Sequence, residues 1–207
     1  MSTSTATEAR SDYPWLIIAA GCLIAALTFG PRSALGFFQI PMLADTGWTR
    51  ADFGLALAIQ NLMWGLGQPV FGAVADRFGT WRVLALAGVM YAAGLVLMAT
   101  PDSLWFLHLG GGVLVGLGIA AGSFGIILAA FARNVAAEQR SFAFGLGTAA
   151  GSAGMFVFAP FSQGLIDAFG WQDSLLIMSA LMLLVPVLAI PLRGNSSSGR
   201  TSQIEID

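Results

Sequence analysis

Long apolar runs, separated by short hydrophilic breaks, dominate the chain. The runs extend from about Trp15 to Leu43, Phe53 to Ala75, Val83 to Ala99, Leu104 to Phe131, Ser141 to Ile166 and Ser174 to Leu192. Crossing a bilayer as a helix takes roughly 20 apolar residues. The pattern therefore predicts an all-α membrane protein of six transmembrane helices, with a bundle over 15–192. The runs are too long for strands and lack the alternation of a membrane barrel. Breaks are expected at Asp45–Asp52, Asp76–Arg82, Pro101–Ser103, Ala132–Arg140 and Asp167–Asp173. Gly30-Pro31-Arg32 interrupts the first run. Residues 1–14 form a polar N-terminal tail without the form of a cleaved signal. The Ser/Gly-rich segment 193–207 reads as a disordered tail.

Composition supports lipid as the solvent. The chain is 57% hydrophobic and only 10% charged, with a mean hydropathy of +0.79. Soluble domains carry about a quarter charged residues. The net charge of −2 offers nothing to a nucleic acid. Cys22 is the only cysteine, so neither an intrachain disulfide nor a thiolate metal cluster can form. No metal or cofactor is expected.

Every basic residue is an arginine, and their placement is uneven. Arg10, Arg77, Arg82, Arg133, Arg140, Arg193 and Arg200 fall on one predicted side, with only Arg50 opposite. The positive-inside rule then puts both termini in the cytoplasm. Trp15, Trp48, Trp81, Trp105 and Trp171 stand at span ends, where aromatic anchors belong.

The turn after the second run reads Gly72-x-x-x-Asp76-Arg77-x-Gly79-x-x-Arg82. Gly72 allows close helix approach, Gly79 permits a tight turn, and the charges can form a latch. An ordinary arginine-rich loop is the plainer reading. This spacing resembles the signature loop between helices two and three of the major facilitator superfamily. The family usually has two adjacent basic residues after the second Gly; this chain has Thr80-Trp81-Arg82, so only Arg82 is retained. The resemblance implies that Asp76, with Arg77, Arg82, Arg133 and Arg140, helps lock one conformational state. It also implies that the six helices are one half of the fold, built as two three-helix repeats. Gly47-Trp48 before the second run and Gly170-Trp171 before the sixth fit such a repeat.

Gly47-Trp48-Thr49-Arg50, and Arg140-x-x-Ala143-x-Gly145 leading to Ala150-Gly151-Ser152-x-Gly154, are similar to bacterial relatives of monocarboxylate porters and oxalate/formate antiporters. That resemblance implies a bacterial inner-membrane protein. Gly145, Gly151 and Gly154 are expected at helix packing contacts, since small residues let membrane helices approach closely. A hinge role for Gly151 and Gly154 is the alternative.

Arg32 lies inside the first run, and no acidic residue occurs within any run to neutralise it. A charge at the bilayer centre costs about 3 kcal/mol on insertion scales, so such residues usually face a cavity. Thr28, Arg32, Gly36 and Gln39 share one helical face. Asn61, Gly65, Gln68 and Gly72 share another. One reading makes Arg32 a site for a substrate carboxylate, with Gln39, Asn61 and Gln68 as polar companions. The other has Arg32 snorkelling to the interface and the amides bonding helix to helix.

Transport of a small organic anion, a monocarboxylate by resemblance and with or without a proton, is the leading function. It requires a second six-helix half, from another chain or another copy. The alternative is a non-transporting membrane subunit or an inactive truncated fragment. An intramembrane protease is excluded by pattern. Ser123 and Ser152 sit one place early in their glycine frames, and His108 precedes both, so no nucleophile–base pair can be assigned.

Overall fold

A computed structural model describes residues 14–193. The tails expected at 1–14 and 193–207 lie outside these residues, apart from Pro14 and Arg193. All regular structure among the described residues is helical: α1 (Pro14–Thr46), α2 (Arg50–Phe78), α3 (Thr80–Ala99), α4 (Leu104–Phe106), a π-helical stretch (Leu107–Leu114), α5 (Val115–Ala121), α6 (Phe124–Asn134), α7 (Ala137–Met182), α8 (Leu184–Leu188) and a 3-10 turn (Ile190–Leu192).

Among the described residues, four segments are long and apolar enough to cross a membrane: Trp15–Thr46, Thr80–Ala99, Leu104–Asn134 and Ala137–Leu192. The second predicted span, inside α2, is fully helical but less apolar than these. Gln60, Asn61 and Gln68 dilute it. The 56-residue last segment is two rods, broken at Gly170 where φ is 79° and ψ is 170°.

The reversals are tighter than the sequence predicts. The break expected over Asp76–Arg82 is the single residue Gly79, and that over Asp167–Asp173 is Gly170. Gly47, Gly79 and Gly170 all have positive φ, which a side chain disfavours. Charged residues flanking them stay helical. Thr49 caps α2 in a box with Asp52, each side chain engaging the other's backbone N–H. The interruption expected at Pro31 does not occur, because α1 runs through both Pro31 and Pro41.

Two apolar clusters stack along the bundle. One joins Ile17 and Ile24 of α1, Ala75 of α2, Val83 of α3, Phe131 of α6, Ala143 of α7 and Leu192. The other joins Phe38 and Met42 of α1, Phe53 of α2, Leu95 of α3, and Trp171 and Leu175 after the Gly170 break. The helices thus alternate in direction, and both ends of the described chain lie at one end of the bundle. Arg77, Arg82, Arg133, Arg140 and Arg193 belong to that end by their places beside its members.

The outer surface fits lipid and not water. Ile40 is 74% exposed, Trp105 70% and Phe156 81%. Inside, α1 packs chiefly on α7, α2 on α5 and the π-helical stretch, and α3 on α5 and α7. Glycines bring backbones together: a Cβ at Gly154 would lie 2.6 Å from Ala26 Cα, and one at Gly116 2.6 Å from the Gln60 carbonyl oxygen. This closeness supplies the dispersion contacts that hold membrane helices together.

Candidate functional site

Arg32 lies near the middle of α1, half-buried. Its Nη2 donates to Asn61 Oδ1 at 2.8 Å. Asn61 is fixed in turn by its own amide, which donates to the Leu57 carbonyl at 2.8 Å. The guanidinium carbon stands 4.7 Å from the centroid of the Trp64 ring, within cation–π range. Phe29 meets the Trp64 ring edge-on, with centroids 6.3 Å apart, and stacks on Phe124 at 4.2 Å. Arg32, Asn61 and Trp64 therefore form one cluster across the α1–α2 boundary.

Three polar atoms near this level are buried without a partner among the described residues: Arg32 Nε, Trp64 Nε1 and Tyr91 Oη. Trp64 lies midway along α2 and Tyr91 near the middle of α3. An unmatched buried polar group costs about 1–3 kcal/mol, so donors gathered at mid-depth mark a place where an acceptor is wanted. Neither Trp64 nor Tyr91 is among the site residues expected from the sequence. Trp64 stands three residues after Asn61 and so close to its face, which was a usable signal. Tyr91 gave none.

The other expected site residues are dispersed. Gln39 is half-buried two turns beyond Arg32. Gln68 is exposed two turns beyond Asn61, in a depression of about 320 Å³ shared with Gly72, Asp76, Ser123 and Gly125. Gly36, Gly65, Gly72 and Gly125 all face open space. Gln60 is buried and donates to the Gly111 carbonyl in the π-helical stretch at 2.8 Å.

At the arginine-rich end, Arg133 Nη2 meets Asp76 Oδ1 at 2.7 Å, the one ion pair among the described residues. Arg140 instead donates to the Val135 carbonyl at 3.1 Å. Arg77 stacks over Phe78, and Arg82 over Trp81. Gly79 makes the turn. Of the five charged latch candidates, the fold pairs only Asp76 and Arg133. Gly154 packs on α1, and a Cβ at Gly151 would lie 2.5 Å from the Phe124 ring. A Cβ at Gly145 would meet nothing within 4 Å. At the opposite end, His108 Nε2 lies 3.2 Å from the Asp52 carbonyl oxygen, and Trp171 Nε1 donates to Asp45 at 2.6 Å.

A helical bundle with a lipid-facing exterior and a polar cluster at mid-depth defines a multi-pass membrane protein. Comparison with known proteins places it more closely: residues 21–206 match the Major Facilitator Superfamily, and the chain belongs to that family. It is 32% identical to monocarboxylate transporter 11 of Mus musculus, over 96% of this chain and 44% of that protein. It is 33% identical to monocarboxylate transporter 11 of Homo sapiens, over 88% and 38%. With monocarboxylate transporter 13 of Bos taurus it shares 30%, over 82% and 39%. The chain spans less than half the length of these curated relatives.

Proposed function

We propose that this chain is the N-terminal six-helix half of a secondary transporter that moves a small organic anion, a monocarboxylate, by alternating access. The observation that carries the reading is Arg32: a mid-helix guanidinium with no carboxylate partner among the described residues, aimed by Asn61 and backed by Trp64. A substrate carboxylate would supply the missing negative charge. Gln39 and Gln68 would extend the polar lining, one toward each end. The names of the relatives support the substrate class.

The pathway needs a second six-helix bundle facing the first, since alternating access rocks two such units about a midplane site. The open face bearing Gly36, Gly65 and Gly72 is where it would sit. Asp76 and Arg133, with Arg77, Arg82, Gly79 and Arg140 nearby, would bias the two states, and Gly151 and Gly154 would keep α7 close to its neighbours. Arginine asymmetry supports placing both termini in the cytoplasm. A bacterial inner membrane is proposed on the resemblance of Gly47-Trp48-Thr49-Arg50 to bacterial porters alone. Proton coupling, if used, would draw on the substrate itself or on the second half.

The test is monocarboxylate uptake into proteoliposomes by the chain assembled with a second half, with and without Arg32→Gln. The expected result is a KM raised about 10- to 100-fold, the loss of a charge-assisted hydrogen bond. An unchanged KM removes Arg32 from the site.

A further inference from the structure

Trp81 occupies a position where the resemblance expects a basic residue, and the structure gives its ring a different task. The Arg193 guanidinium carbon lies 3.8 Å from the Trp81 centroid, and that of Arg82 lies 5.4 Å from it. Two cations far apart in sequence are thus gathered on one indole. Both are exposed, and neither meets a carboxylate among the described residues. Leu192 and Val83 share one apolar cluster, with Trp81 packed against it, so the place is structurally defined.

Depth identifies the solvent there. α3 has 20 residues, about 30 Å of helix, which equals the thickness of the hydrocarbon core. Its first turn, Thr80-Trp81-Arg82, therefore stands at headgroup level. Below Arg82, at i+4 and i+7 on the same face, come Leu86 and Val89, 43% and 49% exposed. A cationic head position stands over an apolar stripe that reaches toward the bilayer centre.

We infer that Arg82 and Arg193, arranged on Trp81, bind the headgroup phosphate of an anionic phospholipid, whose acyl chain lies along Leu86 and Val89. The apolar stripe favours a lipid over a free phosphate, which would make no use of it. Net charge favours an anionic lipid, because a zwitterionic head brings its own cation toward the two guanidiniums. Basic pockets between helices at this level recognise lipid phosphates by the same chemistry.

The experiment is native mass spectrometry of the full chain in nonionic detergent, titrated with phosphatidylglycerol, phosphatidylcholine or inorganic phosphate, with melting temperature read in parallel. The wild type should retain phosphatidylglycerol over phosphatidylcholine by about tenfold. The Arg82→Gln/Arg193→Gln variant should lose that preference, while Arg50→Gln, at the other end of the bundle, should keep it. Arg82→Lys/Arg193→Lys preserves both charges and should retain most of it, which separates lost charge from lost fold. Equal retention of the two lipids by the wild type, an unchanged preference in the double Gln variant, or equal stabilisation by inorganic phosphate alone would overturn the proposal.

Discussion

Arg32 and Asn61 meet across the α1–α2 boundary at 2.8 Å, on helices that otherwise touch little. The bond holds one end of the guanidinium while Trp64 covers its face. Asn61→Leu should therefore free the guanidinium without removing its charge. In an assembled transporter the expected outcome is a KM for monocarboxylate raised about fivefold, as for a bond worth roughly 1 kcal/mol, and less than for Arg32→Gln. Trp64→Phe keeps a ring but removes the indole N–H. If that N–H serves the anion, uptake affinity falls while the melting temperature holds or rises, because a buried unmatched donor has gone.

Gly154 and Gly145 make a controlled pair within α7. A Cβ at Gly154 would press on Ala26 backbone atoms at 2.6 Å, whereas at Gly145 it would meet nothing within 4 Å. Gly154→Val should cost at least about 1–3 kcal/mol, as overpacking does, and lower the melting temperature in detergent. Gly145→Val should leave it nearly unchanged. Equal losses at both positions would contradict the α1–α7 packing described above.

Asp76 and Arg133 pair at 2.7 Å with side chains 75% and 43% exposed. A pair so wet contributes at most about 1 kcal/mol, so Asp76→Asn should barely move the melting temperature. As part of a latch it should instead shift the balance between conformations of the assembled transporter, read by labelling of single cysteines on each face. An Asp76→Arg/Arg133→Asp exchange should restore that balance.

The Thr49–Asp52 cap sets a pH dependence. The Thr49 hydroxyl, and then its backbone N–H, hold the Asp52 carboxyl below the usual carboxylate range. A depressed folded-state pKa stabilises the fold at pH values above the ordinary Asp value of about 3.9, and the contribution fades as pH falls through the lowered value. Thr49→Ala should therefore be less stable than wild type near neutrality. The gap should narrow as the pH drops below 4, as followed by thermal melts across pH.

Helices were legible in this sequence wherever lipid demanded an unbroken apolar run, and their order follows the runs from Trp15 to Leu192. Loop lengths were not, because Asp76, Arg77, Asp167 and Asp173 read as loop while glycines with positive φ turn the chain in one residue. At the site, Arg32 and Asn61 stood out singly, since each is costly in lipid. Their pairing depends on how α1 and α2 are set against each other, which no single helix encodes. Gln60 follows the same logic: its partner is a carbonyl in a non-α stretch that hydrophobic periodicity does not report.

That stretch, Leu107–Leu114, also re-aims the rod that contains it. An α-helix returns to the same side every 3.6 residues, but a π-helix closes each ring one residue later. The stripe begun by Leu104–Phe106 is therefore out of phase with the one continued by Val115–Ala121. Gly116 and Gly118 reach Gln60 and Tyr91 only after this slip. Deleting one residue within Leu107–Leu114 would leave the rod nearly as long, yet swing its second part away from both neighbours.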